Sequence, residues 1–238
     1  MSPSDPLGIF GGTFDPVHFG HLRLAEEARE RLGLAAVRWL PAGAPPLRAA
    51  PSTPAAHRVA MVRLAIADNP HFALDTAEAD SPAISYTVDT LRRLRAELGA
   101  ARPLVLLLGA DAFGRFEAWH EWREIFTLAH VGVASRPGEY AFAPANYSGG
   151  GTAVDKPFPP APYPGRATPS PALAAEMAAR HAPPAALRES PAGAIVPFHL
   201  TPLDISATVI RARLVAGASP RYLLPEQVLD YIHTHHLY

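Results

Sequence analysis

The chain has 238 residues, 48% of them hydrophobic, enough to bury one sizeable core, so one domain spanning 1–238 is expected. Lys and Arg number 21 against 22 Asp and Glu, a formal net charge of −1, so no long-range field draws the chain to nucleic acid or an anionic membrane, and any polyanion must be met by a local site. Cysteine is absent, which excludes disulfides, thiolate zinc sites and cysteine nucleophiles; with no signal-like start and no run of ~18 apolar residues, a cytoplasmic protein is expected, its oligomeric state (homo-oligomer or not) left open.

Short apolar runs alternate with longer segments of helical period, the pattern of βαβ units and a parallel sheet. Residues 7–10 read as the first strand. A helix over 20–32 follows, with Leu22, Ala25, Ala28 and Leu32 along one stripe and Gly33 just past its end. "AVRWLP" (36–41) reads as strand two, 54–68 as a second helix, "HFALDTAEA" (71–79) as strand three, and 85–99 as a third helix capped by Ser85 or Thr87. "PLVLLLG" (103–109) is the most apolar segment and the best candidate for a central strand buried on both faces. Residues 130–135 and 194–200 supply two more strands, and helices over 206–216 and 225–236 complete the pattern. The fold class is α/β, a single Rossmann-like, doubly wound parallel sheet.

One stretch breaks this rhythm. From about 139 to 193 the composition shifts to Pro, Ala and Gly, with only 171–182 able to form a helix. Core strands cannot use so many prolines, so a surface insertion is expected there.

"GGTFDPVHFGHL" (11–22) occupies the first strand-to-helix corner. In a doubly wound sheet that corner opens onto the ligand crevice. Gly11 and Gly12 let a phosphate approach the backbone, and Thr13 adds a hydroxyl. Asp15-Pro16 makes a turn. His18 and His21, three positions apart, project from one face of a helix's first turn, where unpaired N–H groups and the dipole favour an anion. Two imidazoles there can hold a phosphate and stabilise charge growing on it. Read separately, His18 is a helix cap and His21 a packing residue; as metal ligands the pair lacks a third partner. Late in the chain, "DISATVIRARL" (204–214) places Ser206 and Thr208 at a helix start with Arg211 about one turn on, neutral donors plus a bidentate cation suited to polyphosphate. Taken alone, Ser206 is an ordinary N-cap.

Both segments resemble the signatures of the H-x-G-H nucleotidyltransferases, in the form typical of the nicotinate-nucleotide adenylyltransferase family. "ISYTVDTLRRLR" (84–95), "LLLGADAF" (106–113), "FEAWHEW" (116–122), "SRPG" (135–138) and "LLPEQVLDYIHTHHLY" (223–238) are similar to further family segments, in the family's order. The resemblance runs end to end apart from the Pro-rich stretch, and it implies the nucleotidyltransferase fold and adenylyl transfer from ATP to nicotinate mononucleotide. It implies that His18, His21 and Arg211 act on the phosphates, and that Gly11, Gly12, Thr13, Gly109, Asp111, Ser206 and Thr208 bind ATP, Asp111 through the ribose hydroxyls. On the acceptor side it implies Trp119 stacking on the pyridine ring, Ser85, Tyr86 and Thr87 meeting the carboxylate, and Arg48 and Arg136 meeting the phosphate. Mg²⁺ enters with ATP, held mainly by phosphate oxygens with no protein metal site of its own. The sequence departs from the family at "PPLR" (45–48), where Leu47 stands in place of a histidine while Arg48 keeps the positive charge.

Four other readings compete with this one. "GADAFGRF" (109–116) has the glycine spacing of a P-loop, but Arg115 and Phe116 stand where Lys and Ser or Thr are required. The terminal "HTHH" has no acidic or sulfur companion for a metal. A relative using nicotinamide mononucleotide or phosphopantetheine would share both phosphate corners, as would a nucleotide-binding regulatory module without turnover.

Overall fold

The computed structural model describes residues 5–44, 51–135 and 169–238. Its centre is a six-stranded, all-parallel sheet of β1 (Leu7–Gly12), β2 (Ala36–Pro41), β3 (Phe72–Leu74), β4 (Leu104–Gly109), β5 (His130–Ser135) and β6 (Ile195–His199), in the order β3-β2-β1-β4-β5-β6. The helices among the described residues are α1 (Phe19–Arg31), α2 (Ala55–Ile66), α3 (Ala77–Asp80), α4 (Thr87–Leu98), α5 (Ala110–Phe113), α6 (Trp122–Leu128), α7 (Pro171–Arg180), α8 (Ala207–Val215) and α9 (Glu226–Thr234).

Strand periodicity divides the core in two. On β1 and β4, Phe10, Val105 and Leu107 face one side and Leu7, Ile9, Leu104, Leu106 and Leu108 the other, as a two-residue repeat requires. The first side buries Ala25 and Ala28 of α1 with the Leu32 that follows it, Met61 and Val62 of α2, Ile210 of α8 and Val228, Leu229 and Ile232 of α9. The second buries Val88, Leu91 and Leu94 of α4 with Ile125 and Phe126 of α6. β4 lies between β1 and β5 with Leu104 to Leu108 all buried, which is why it is the most apolar run in the chain. Pro197 is accommodated because β6 is an edge strand.

Three local expectations change. Strand three ends at Leu74 because the Asp75 carboxylate accepts from the Ala77 amide at 3.1 Å, an Asx turn that leads directly into α3. The third helix is capped by neither Ser85 nor Thr87: Tyr86 holds the N-cap position without a side-chain acceptor, and Thr87 is already helical. The described part of the Pro-rich stretch is not all surface. α7 and a 3₁₀ turn at Pro184–Arg188 send Leu173 and Leu187 into the core, both completely buried. The Ala194 amide donates to His130 Nδ1 at 3.0 Å and the ring's Nε2 lies 2.9 Å from the Ser190 carbonyl, fastening the segment's end to β5. Residues 136–168, the remainder of that stretch, lie outside the described residues.

Leu187→Ala is expected to destabilise the fold by about 2–5 kcal/mol, the ordinary result of emptying a buried leucine site. Urea denaturation measures this, and a change under about 0.5 kcal/mol, typical of surface positions, would show that the segment is dispensable to the core.

Candidate active site

In the order β3-β2-β1-β4-β5-β6 the winding reverses between β1 and β4, and ligands of such sheets bind beyond the carboxyl ends of the strands at that reversal. Gly11 and Gly109 sit at those two strand ends, and at each a Cβ would meet no atom of the described residues within 4 Å, so among them the backbone borders open space.

The chain leaves β1 through Gly12, where a Cβ would press into the Phe14 ring at 2.7 Å. Phe14 is buried against Phe10 and Trp39, with ring centroids 5.4 and 5.2 Å away. That anchor turns the chain so that Thr13, Asp15 and Pro16 arch over the strand end. His18 then takes the N-cap position of α1 and His21 the third helical position, as their spacing predicts. The imidazoles stack with centroids 3.7 Å apart. The His18 amide donates to His21 Nδ1 at 3.3 Å, which leaves Nε2 as the protonated, donating nitrogen of the neutral His21 ring. His18 is thus a cap and His21 packs edge-on against Phe14, at 5.1 Å, so the structural role and the placement at a helix N-terminus coexist. The glycine between them leaves room for the ring: a Cβ on Gly20 would lie 3.0 Å from His18 Nδ1, so the imidazole would have to give by a few tenths of an ångström.

The late cluster reaches the same corner. Ser206 caps α8, its hydroxyl accepting from the Val209 amide at 3.2 Å, and Thr208 is exposed on the first turn. From the second turn Arg211 donates through Nη1 to the Asp15 carbonyl at 2.6 Å. The Ile205 carbonyl lies 3.6 Å from where a Gly20 Cβ would stand, and the Phe19 amide donates to the Leu223 carbonyl at 3.1 Å. Residues nearly two hundred positions apart in the chain therefore flank one helix N-terminus.

On the far side of β4, Asp111 is exposed in the first turn of α5. Tyr86 packs at a tilt against His120 with centroids 4.5 Å apart, so Ser85, Tyr86 and Thr87 adjoin the Trp119 segment. Trp119 is half-buried, 5.2 Å from the Phe116 ring, while Trp122 packs on Phe116 and Phe126. Arg48 and Arg136, with Leu47, lie outside the described residues.

Sequence reasoning missed the groups that brace the corner. Arg58 of α2 is 1% exposed and donates to the carbonyls of Thr13 (2.8 Å), Gly43 (3.1 Å) and Thr53 (3.1 Å), tying three loops together. Asp15, 5% exposed, accepts from the Ser52 amide (2.9 Å), the Ser52 hydroxyl (2.8 Å) and the Tyr238 phenol (2.5 Å). Burial pushes the Asp15 carboxyl up, but the hydrogen bonds from Tyr238, Ser52 and Thr53 outweigh it and hold the group below the ordinary carboxylate value. Glu27 of α1, 1% exposed, accepts from the Thr201 hydroxyl and amide (2.5 and 2.8 Å) and from Arg23 (2.6 Å), pinning the approach to α8. Burial raises its carboxyl too, and those bonds again win, leaving a net lowering. A legible signal existed for Arg58: it shares the 58–61–62 spacing of the helix's buried, otherwise apolar face, whereas Arg63 falls off that face.

Residues 9–213 match the model of the cytidylyltransferase-like family. A protein of Dechloromonas aromatica named a probable nicotinate-nucleotide adenylyltransferase is 52% identical over 239 residues, covering 99% of this chain and 98% of that protein. The chain belongs to the nicotinate-nucleotide adenylyltransferase family. A similarly named protein of Laribacter hongkongensis is 44% identical over 99% of this chain and 96% of its own length. In fold the chain is similar to the nicotinic acid mononucleotide adenylyltransferase of Plasmodium falciparum, whose structure is complexed with NaAD: the TM-score is 0.66 at 14% identity, covering 98% of this chain and 97% of the other.

Two outcomes follow from this bracing. Gly20→Ala adds a methyl group against His18, so turnover should fall about tenfold or more, as small displacements of reacting groups do, while the melting temperature holds or rises because Ala favours helix; unchanged turnover would mean the His18 position is not critical. Because Asp15 and Glu27 carry lowered carboxyl values, their stabilisation is complete above pH about 5, clear of the unfolded-state carboxylate range, and drains away as the pH falls through that range and then through the lowered folded values. Urea midpoints should thus stay level down to that pH and then fall, less steeply in Glu27→Gln.

Proposed function

We infer that the chain transfers the adenylyl group of ATP to nicotinate mononucleotide, forming deamido-NAD and pyrophosphate. What carries this reading is the hydrogen bond from Arg211 to the Asp15 carbonyl, which puts a guanidinium, two imidazoles and a helix N-terminus around one corner at the sheet's reversal point.

The nucleophile is a phosphate oxygen that is already ionised near neutral pH, so neither a general base nor a covalent intermediate is needed. Catalysis reduces to alignment and charge stabilisation. The Gly11–Gly12 backbone and Thr13 line the triphosphate. His18 and His21 meet charge growing at the α-phosphorus. Ser206, Thr208 and Arg211 hold the departing pyrophosphate, the arginine with a fork suited to bidentate contact. Asp111 accepts from the ribose hydroxyls, and Trp119 with the 85–87 segment receives the nicotinate ring and its carboxylate.

The donor set also fits Mg²⁺ delivered with ATP. The corner offers imidazole, hydroxyl, amide and guanidinium groups, while the Asp15 carboxylate is turned inward to Ser52 and Tyr238, so oxygen ligands come mainly from the phosphates. Bound in that way, the ion neutralises phosphate charge. A cysteine-free chain suits this chemistry in a reducing cytoplasm.

Pyrophosphate release with ATP and Mg²⁺ tests the assignment, comparing nicotinate with nicotinamide mononucleotide. The nicotinate form is expected to be strongly preferred, and equal or reversed preference would overturn the acceptor. His18→Ala and His21→Ala should each lower turnover on the order of a hundredfold with the fold retained, the usual loss when a transition-state donor is removed. Near-normal rates would remove both residues from the chemistry.

A further inference from the structure

The Asp15 side chain presents a problem of charge. An acid lies within the arch that borders the phosphate corner, where a carboxylate facing outward would repel the triphosphate. It does not face outward. Oδ2 is held by the amide and hydroxyl of Ser52, and Oδ1 by the phenol of Tyr238 at 2.5 Å. Tyr238 follows α9, so this bond ties the chain beyond that helix to the turn between β1 and α1. The same residue's main-chain carbonyl is the acceptor for Arg211 at 2.6 Å, so whatever fixes Asp15 also fixes the guanidinium.

We propose that Tyr238 is a positioning residue for adenylyl transfer: its phenol holds the Asp15 carboxylate inward, and Asp15 in turn sets the backbone carbonyl that aims Arg211 at the phosphates. The proposal rests on the functional reading above. Tyr238 itself touches no reacting atom. Its effect runs through one hydroxyl, because Asp15 is 5% exposed and a carboxylate left with only its Ser52 and Thr53 partners cannot turn to water without moving the arch. Arg58 is coupled to the same unit. Burial pulls its guanidinium below the ordinary value and the Asp15 charge opposes that, so a displaced Asp15 weakens the clamp on Thr13 and Gly43 as well.

Tyr238→Phe keeps the ring and removes only the donor. Tyr231→Phe is the control: it removes another phenol from the same C-terminal region, one bonded to His57 at 2.9 Å and outside the Asp15 unit. In Tyr238→Phe, kcat should fall about tenfold, with KM for the mononucleotide held within about twofold; Tyr231→Phe should keep wild-type kcat. Hydrogen exchange of the Thr13 to Asp15, Val17 and His18 amides and of the Ser52 and Thr53 amides should accelerate in Tyr238→Phe while β4 and β5 stay protected, a local effect that general destabilisation would not give. Asp15→Asn should reproduce the kcat defect, and the double variant should be no worse than the more damaged single one. Wild-type kcat in Tyr238→Phe, an equal defect in Tyr231→Phe, uniform loss of protection, or simple additivity with Asp15→Asn would each overturn the proposal. A wild-type protein inactive on nicotinate mononucleotide would defeat the functional reading instead, and the exchange measurement would still decide the positioning of the arch.

Discussion

The guanidinium of Arg211 on the carbonyl of Asp15 joins the two ends of the chain at the site. Neither partner signature forms an anion corner alone. The β1–α1 turn supplies glycines, a helix N-terminus and two imidazoles but no permanent cation, while α8 supplies hydroxyls and an arginine but no strand end on which to lean. Folding the last two helices onto the same sheet face as α1 and α2 brings them within one hydrogen bond of each other. The sheet order makes this productive, because the winding reverses beside the strand that carries the first signature.

That corner is stiff for reasons that have little to do with the residues expected to touch substrate. Arg58 and Glu27 are among the most buried charges among the described residues, and each spends its hydrogen bonds on chain segments rather than on ligand. Arg58 gathers three carbonyls; Glu27 holds the chain that enters α8. Buried charges are kept only where their partners are nearly complete, and these are. Pre-organisation of this kind is what a reaction without acid–base chemistry requires of its protein.

Much of this was legible in the letters. The six strands follow from apolar runs such as Val105 to Leu108, and the two signatures proposed to meet the phosphates from the clustering of glycine, imidazole, hydroxyl and guanidinium groups. What was not legible shares one cause: it depends on which distant groups meet. Asp75 ends β3 early because its carboxylate finds a nearby amide, a choice a β-forming pattern does not reveal. Leu187 is core because a loop from beyond 168 folds back over α1, where Arg188 also reaches the Gly33 carbonyl at 2.7 Å. Tyr238 looks like an ordinary terminal aromatic until Asp15 is seen beside it. Trp119, three positions before Trp122, could be read as stacking on a ligand ring or as packing with Trp122 on one helix face; both indoles are half-buried at the border of the second core.

The central claim is that the early imidazoles and the late arginine serve one triphosphate. A double-mutant cycle on kcat/KM for ATP, using His21→Ala, Arg211→Ala and the pair together, measures it most directly. The account predicts strong non-additivity, the two losses overlapping because both groups stabilise the same transferring phosphates. Losses that simply add, as for sites that share no partner, would contradict it.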